Sequence, residues 1–474
     1  MLMRTMMYCT MFVWIALTMT GCSGEPKSAA SAIIIPDGEK DPAAWGKKFP
    51  NHYDSYLKNS EKTKDYSKYK SDEQCRLSPW SFQFVLFDGW GFGVEYNEPN
   101  GHTEMMKDQR DIDGSRKKAG GVCLTCKTPY APELRKKLDI DYFRKPYEEV
   151  LNEIPEKHRT MGLVCIDCHD PATMDLRINR QTLIESLKAI GKDPEKLTRQ
   201  EKRSLVCAQC HVDYSIPKDK DGKSIALVFP WKNGKWGNIT IEAVIKQIRD
   251  EGLKEWKHKP TDQKLGHLRH PEFELFSSPG SVHWAAGVAC ADCHMPYERV
   301  GREKISSHRW ESPLKKDMKA CMQCHTQDAK WLKDQVYNIQ DRVNHMFTKA
   351  GYTLASAALT LEAALKIPQA DNATIEKAKA LYAEAYYRCT WIGAENSMGF
   401  HNPTESLRVL GDALDLGHQA EALAREAILK ASATPPEFDM AQIDKIVTER
   451  YKSTNGKTGF KADVKKRAAL MSGK

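Results

Sequence analysis

The sequence predicts a mainly α protein with little β structure. Two regions of contrasting composition and periodicity support this. Residues 328–366, 372–396 and 404–431 are long runs rich in Ala, Leu, Glu and Lys, with apolar residues at helical spacing and short breaks between them. From Cys75 to about Cys324, by contrast, Gly, Pro and short apolar runs surround five CxxC pairs. Few periodic stretches there are long, so something other than a continuous apolar core must organise that half.

Composition excludes several classes of protein. The chain has 474 residues, of which 41% are hydrophobic and 28% charged, which is typical of a globular protein with a large core. The net charge of +8 is spread along the chain and not gathered in one basic tail, so we expect no nucleic-acid partner. After residue 22 no run approaches the ~18 apolar residues of a membrane span.

Residues 1–22 are predicted to be a signal peptide. One basic residue, Arg4, precedes an apolar stretch from Met6 to Met19, and the segment ends at Cys22. The small residues before Cys22 resemble a bacterial lipoprotein cleavage site, in which this cysteine becomes lipidated; the alternative is an ordinary cleaved signal. Either reading predicts an exported, periplasmic protein, anchored to the membrane if Cys22 carries lipid. The polar, Lys-rich residues 23–75 are predicted to form an arm on the body.

The five CxxC pairs carry the chemistry of the chain. Four are followed by histidine, the attachment signature of c-type haem, in which two thiols bond to the porphyrin and the histidine ligates its iron. Zinc ribbons would use such pairs two at a time, and five is odd; a redox dithiol would occur once. We therefore predict five haems c in a catalytic region over residues 76–327, with the haems as core material of a multihaem cytochrome c. The motifs are Cys123/Cys126/Lys127, Cys165/Cys168/His169, Cys207/Cys210/His211, Cys290/Cys293/His294 and Cys321/Cys324/His325.

The first motif, CLTCK, differs from the other four because lysine stands where histidine is expected. A lysine amine must lose its proton to coordinate iron, which the metal can drive as a Lewis acid. Four histidine-ligated haems beside one lysine-ligated haem indicate four electron carriers and one haem with a face open for chemistry. The alternative is that Lys127 is a surface lysine and histidine comes from elsewhere.

The order of one CxxCK and four CxxCH motifs resembles the ammonia-forming cytochrome c nitrite reductases, a pentahaem family. Further strings that carry the resemblance are GHTEMMKD, CHVDY, FPW, RHPEFE and HNPTESLRVLG, between about Trp80 and His401. The resemblance implies six-electron reduction of nitrite to ammonium at the Lys127 haem. It also implies distal ligands: His102 for the His211 haem, His308 for the His169 haem, His283 for the His325 haem and His401 for the His294 haem.

The family also places an arginine, a tyrosine and a histidine at the open iron face. Tyr214 of CHVDY and His270 of RHPEFE match two of them, and Arg116 is preferred over Arg110 for the third because it is nearer the haem motif. Many members bind calcium beside this site through a glutamine just before the catalytic histidine. Arg269 stands there in this chain, and a guanidinium has no acceptor for calcium, so we expect no calcium and Arg269 in its place. Its positive charge would lie near Asp213, and a bidentate pair with that carboxylate would fix the loops of Tyr214 and His270.

The resemblance further implies a homodimer through the region 328–474 and an electron-donating cytochrome or quinol dehydrogenase at the membrane. From the helices alone, packing within the core of one chain explains the long apolar faces as well as a dimer interface does. Two rival functions stay open: a non-catalytic multihaem electron carrier, and an enzyme of the same build acting mainly on hydroxylamine or sulfite.

Overall fold

The computed structural model describes residues 33–63, 66–69, 75–117 and 120–450, together with 467, 468 and 471. The predicted signal peptide, with Cys22, lies outside the described residues, as does part of the predicted arm. No helix in the described part of the chain is long and apolar enough to cross a membrane.

The predicted mainly α fold is confirmed. The two pairs of strands are short antiparallel hairpins, in which Trp256 pairs with Leu265 and Tyr297 with Ser306. Among the described residues the helices are α1 Pro42–Gly46, α2 Pro50–Leu57, α3 Phe82–Leu86, α4 Met105–Asp111, α5 Gly120–Leu124, α6 Ala131–Leu138, α7 Asp141–Arg144, α8 Tyr147–Asn152, α9 Gln181–Ala189, α10 Arg199–Ala208, α11 Ile241–Asp250, α12 Glu272–Ser277, α13 Val282–Ala285, α14 Cys290–His294, α15 Ala329–Ala364, α16 Asn372–Ala394, α17 Pro403–Lys430 and α18 Met440–Arg450; the strands are β1 Trp256–His258, β2 Gln263–Leu265, β3 Tyr297–Val300 and β4 Glu303–Ser306.

The three long helices α15, α16 and α17 begin at local signals that the sequence carries. The side chains of Asp328, Asp371 and Asn402 each accept a backbone N–H of the first helical turn, which satisfies donors that the helix itself leaves unpaired. The observed helices lie within about two residues of the predicted runs at each end. They pack on one another through fully buried small and apolar residues such as Leu354 and Ala358.

The middle of the chain docks on this bundle through α3. The ring of Phe82 in α3 lies edge-on to Phe347 and Tyr352 of α15, at centroid distances of 5.2 and 5.3 Å. Gly351 permits the approach, because a Cβ atom there would lie 2.2 Å from the Phe82 ring. Glycine is therefore required at residue 351, where the middle of the chain meets the long helices.

The helices α1 and α2 place the N-terminal arm against the body. The Oγ of Ser55 accepts the backbone N–H of His308 at 2.9 Å, and the Asn59 side-chain amide donates to the carbonyl of the same residue at 2.7 Å. The Tyr56 hydroxyl donates to the Leu163 carbonyl at 3.2 Å. The arm therefore holds the segment that presents His308.

Candidate haem-binding and active site

Each CxxC motif lies on a single turn of helix. In three of the CxxCH motifs the histidine N–H donates to the carbonyl of the first cysteine at 2.9 Å, and the fourth motif is the whole of α14. One turn thus brings two thiols and one imidazole to the same side of the backbone. None of the ten motif cysteines is in a disulfide, and each keeps accessible surface.

A continuous cavity of about 1140 Å³ runs through the middle of the molecule. It is lined by nine of the ten motif cysteines and by the eight histidines predicted to ligate iron. This volume exceeds the usual range of about 300–1,000 Å³ for sites that hold one small ligand. The thiols and imidazoles around one large shared space fit several haems. The middle of the chain also supplies residues such as Trp231, Val244 and Phe273 to an apolar core that continues into the long helices, so an apolar core extends further there than the sequence indicated.

Four pairs of histidines face each other across this space, and they are the four pairs that the family resemblance implies. An iron midway between two imidazoles, about 2 Å from each nitrogen, needs ring centres about 6 Å apart. The observed centroid distances are 5.8 Å for His102–His211, 6.1 Å for His169–His308, 6.3 Å for His283–His325 and 6.3 Å for His294–His401. The geometry fits the ligand assignment, which stays a prediction.

One of these sites has a neighbour that the sequence did not reveal. The ring of His52 in α2 lies 5.1 Å from that of His308. Burial lowers the pKa of His52, with Glu303 opposing this shift. The sequence analysis assigned no ligand role to His52, and its contact with the distant His308 carries no local sequence signal.

The residues predicted for the open haem come from separate segments. Lys127 follows α5 and is half-buried, and its backbone N–H donates to the Leu124 carbonyl at 3.0 Å. Tyr214 is also half-buried; burial raises the pKa of its hydroxyl, while Arg269 opposes the rise. The thiol of Cys123 lies 4.0 Å from the carbonyl of Arg116, which places that arginine beside the first motif.

The two candidate arginines are placed differently. The guanidinium of Arg116 lies 3.9 Å above the ring of Phe92 and donates to the Glu95 carbonyl at 3.2 Å. Burial lowers the pKa of Arg116, and Tyr214 is among the groups that oppose this shift. Arg110, near the end of α4, is exposed. The placement favours Arg116, whose catalytic role remains a prediction.

His270 has an unusual backbone. Its φ of +51° lies in the left-handed region, which is uncommon for a residue other than glycine and is concentrated at functional sites. Its ring is accessible and lies 6.4 Å from that of His211. Desolvation by the surrounding chain lowers the pKa of His270 to about 4, Glu272 opposes the shift, and His211 and Lys127 add to it.

Arg269 joins the segments that carry the candidate catalytic residues. Its guanidinium pairs with both oxygens of Glu255, at 2.9 and 2.6 Å, and donates to the carbonyls of Tyr214 and His267 at 3.0 and 2.9 Å. We expected a bidentate pair with Asp213; this was wrong, because Asp213 accepts the backbone N–H of Arg269 at 2.7 Å instead. The true partner is an isolated acidic residue that no motif singles out.

Asp213 and Arg269 are both buried. Burial raises the pKa of Asp213 well above its usual value, and Arg269 opposes the rise. The arginine also has a raised pKa, because Glu255 outweighs the effect of burial. A permanent positive charge therefore stands among two carboxylates and two carbonyl oxygens, beside Tyr214 and His270.

Comparisons with known proteins show the family to which the chain belongs. A family model for cytochrome c552 matches residues 41–472. The chain is 32% identical to the cytochrome c nitrite reductase subunit NrfA of Nitratidesulfovibrio vulgaris, over 88% of this chain and 84% of that one. It is also 32% identical to cytochrome c-552 of Parabacteroides distasonis, over 74% and 69% of the two chains.

A solved structure is similar over most of the fold. The cytochrome c nitrite reductase of Desulfovibrio desulfuricans superposes with a TM-score of 0.75 and 31% identity, covering 83% of this chain and 87% of that chain. The catalytic subunit of that enzyme has two calcium sites.

Proposed function

The chain belongs to the cytochrome c552 family, and we propose that it reduces nitrite to ammonium with six electrons at a haem held by Cys123 and Cys126, with Lys127 as the proximal ligand. The similar proteins support the general activity of a cytochrome c nitrite reductase, an oxidoreductase that carries haem c. The observation that supports this proposal is the contact of Arg116 with Cys123 of the one motif that lacks histidine, with Cys123 and Cys126 both close enough to act on the Tyr214 hydroxyl.

A haem held by Cys123, Cys126 and Lys127 would supply a redox-active iron able to take up nitrite and deliver electrons to it. Arg116 places a fixed positive charge where charge sits on the nitrite oxygens. His270 is exposed and is proposed to pass protons from solvent to the substrate. Tyr214 donates a hydrogen bond to later nitrogen species. Hydroxylamine, a late species on this path, is expected to be a substrate too.

The other four haems are proposed to be bis-histidine electron carriers. Cys210 Sγ lies 3.5 Å from the carbonyl of Cys126, so the His211 site adjoins the lysine site directly. The His102–His211 haem would therefore be the immediate donor to the Lys127 haem. Five haems per chain follow from the five motifs.

We propose that Arg269 replaces the calcium ion that sits beside this site in many family members. Its guanidinium satisfies two carbonyl oxygens and a buried carboxylate, groups of the kind that calcium would bind. A divalent cation beside a buried guanidinium would be repelled. Tyr214 and His270 are thus held by an internal cation that chelators cannot remove.

Three further assignments rest on the family and the sequence. They are a homodimer through the long C-terminal helices, a periplasmic location with a lipid anchor at Cys22, and electron supply by a membrane-bound cytochrome or quinol dehydrogenase. Light scattering at micromolar concentration tests the first, and a monomer would contradict it.

A pyridine haemochrome count combined with a viologen-coupled nitrite assay tests the function. We expect five haems c and ammonium as product. A multihaem electron carrier would show only low-spin iron by electron paramagnetic resonance and no change on adding nitrite. An enzyme specialised for sulfite would prefer that acceptor in the same assay. Either result would overturn the proposal.

A further inference from the structure

The predicted haem ligands differ in what faces their second ring nitrogen. In His169, His294 and His308 the Nδ1 atom lies 2.8 to 3.0 Å from a backbone carbonyl oxygen, namely that of Met174, Glu311 and Ser306 respectively. In His211 and His401 it faces a carboxylate. Nδ1 of His211 lies 3.5 Å from Oε2 of Glu272, and Nδ1 of His401 lies 2.5 Å from Oε1 of Glu395.

These two carboxylates are buried and held in place. The side chain of Glu395 is fully buried; the Ser397 hydroxyl and the Gly399 N–H donate to its Oε2 at 2.9 and 3.1 Å. Glu272 accepts both the backbone and the side-chain N–H of Asn396 on Oε1, at 3.1 and 2.5 Å. The donors Asn396, Ser397 and Gly399 are close together in sequence, so the turn after α16 holds both carboxylates in place.

A buried arginine completes this cluster. Arg76 donates to the Gly393 carbonyl at 2.6 Å, and its Nε lies 3.4 Å from a carboxylate oxygen of Glu98. Glu272 and Glu395 are both close enough to act on its charge. Three carboxylates around one guanidinium leave the cluster with excess negative charge, in a region where low dielectric strengthens electrostatic effects.

We propose that Glu272 and Glu395 are positioning residues that lower the reduction potentials of the haems ligated by His211 and His401. Both carboxylates lie within ion-pair distance of Nδ1, and a carboxylate that accepts Nδ1–H makes the imidazole a stronger donor to iron. Reduction adds one electron from an external reductant and removes one positive charge from the ferric haem. The nearby negative charge therefore favours the ferric form.

The arrangement has a consequence for electron flow. The His211 haem adjoins the lysine site, so a lower potential there makes it a stronger reductant toward the haem that binds substrate. Nδ1 of His169 and Nδ1 of His308 face neutral carbonyl oxygens, so we expect no carboxylate to lower the reduction potential of the haem between these two residues. The inference rests on the haem ligands of the proposed function but not on nitrite being the substrate.

The test is a redox titration of the purified holoenzyme, following each low-spin ferric signal by electron paramagnetic resonance. We expect Glu395→Gln to lower the ferric-to-ferrous ratio of the His401 haem about tenfold at a fixed applied potential. For a one-electron couple, this corresponds to a rise in the reduction potential of about 59 mV. Glu272→Gln is expected to act on the His211 haem. The control is Asp444→Asn, which neutralises a buried carboxylate held by Ser81 and Tyr352, away from the haem ligands; it leaves all titrations unchanged.

The conservative variants Glu395→Asp and Glu272→Asp keep the charge and are expected to titrate between wild type and the Gln variants. If a Gln variant loses haem, the Asp variant of the same residue is titrated in its place. Unchanged titrations in variants that retain five haems would overturn the inference, as would Asp variants that match the Gln variants. If the potentials shift but the wild type fails to reduce nitrite, the proposed function fails and this inference stands.

Discussion

Replacing Arg269 by glutamine removes the positive charge that holds the candidate active site together. The guanidinium and the Glu255 carboxylate are 5% and 1% exposed, so the variant leaves a buried carboxylate without its partner. Such a loss costs about 3–5 kcal/mol of unfolding free energy. An unfolding entropy of about 2.1 cal/mol/K per residue makes this a fall in Tm of about 3–5 °C for 474 residues.

Glutamine also supplies a side-chain oxygen, the kind of ligand that calcium takes. Calcium at a hundredfold excess over its Kd would stabilise the folded variant by about 2.7 kcal/mol, and so recover much of the loss. The double variant Glu255→Gln/Arg269→Gln is expected to lose less stability than Arg269→Gln alone, because it leaves no unpaired buried charge.

The assay is thermal unfolding of the holoenzyme in EDTA and in calcium, with nitrite turnover measured in parallel. The matched control is Arg180→Gln. Arg180 and Asp167 form another buried pair, 2.7 Å apart and 3% and 1% exposed, so this variant loses comparable stability. Calcium is expected to restore Arg269→Gln and not Arg180→Gln.

Two results would refute the reasoning. One is stoichiometric calcium in the wild-type enzyme by elemental analysis, or wild-type activity lost in EDTA and regained with calcium. The other is an Arg269→Gln variant as stable as wild type in EDTA, which would mean that the ion pair with Glu255 contributes nothing.

Three other predictions concern the haems and the substrate site. The mature chain is expected to exceed its polypeptide mass by five haems of about 0.6 kDa each, and a mass lower by one haem would remove CLTCK as an attachment site. Lys127→His is expected to keep the haem but to lower the kcat of nitrite reduction, since only the proximal donor changes; an unchanged kcat would remove lysine from the mechanism. Arg116→Ala is expected to reduce kcat/KM about 10²-fold with haem content intact, as for loss of one preorganised charge, whereas exposed Arg110→Ala serves as the control; the opposite ranking would reassign the arginine.

The sequence alone determined the features that depend on neighbours along the chain. The long helices follow from a 3.6-residue period and from capping residues such as Asp328 and Asp371, which act within one turn. The haem motifs are equally local, because two thiols and one imidazole must lie on a single turn to hold one macrocycle. The predicted distal histidines came from family resemblance and stay a prediction, since spacing could not choose among eleven histidines outside the motifs.

Only the tertiary structure decided which distant residues meet. Glu255, and not Asp213, pairs with the Arg269 guanidinium, because the hairpin of β1 and β2 carries Glu255 to a buried position that no local pattern encodes. The carboxylates that face His211 and His401 likewise come from distant segments, since Glu272 lies in α12 and Glu395 in the turn after α16. Charges buried in low dielectric must find partners wherever the folded chain supplies them, so their pairing is a property of the packed molecule and has no signature in the order of its residues.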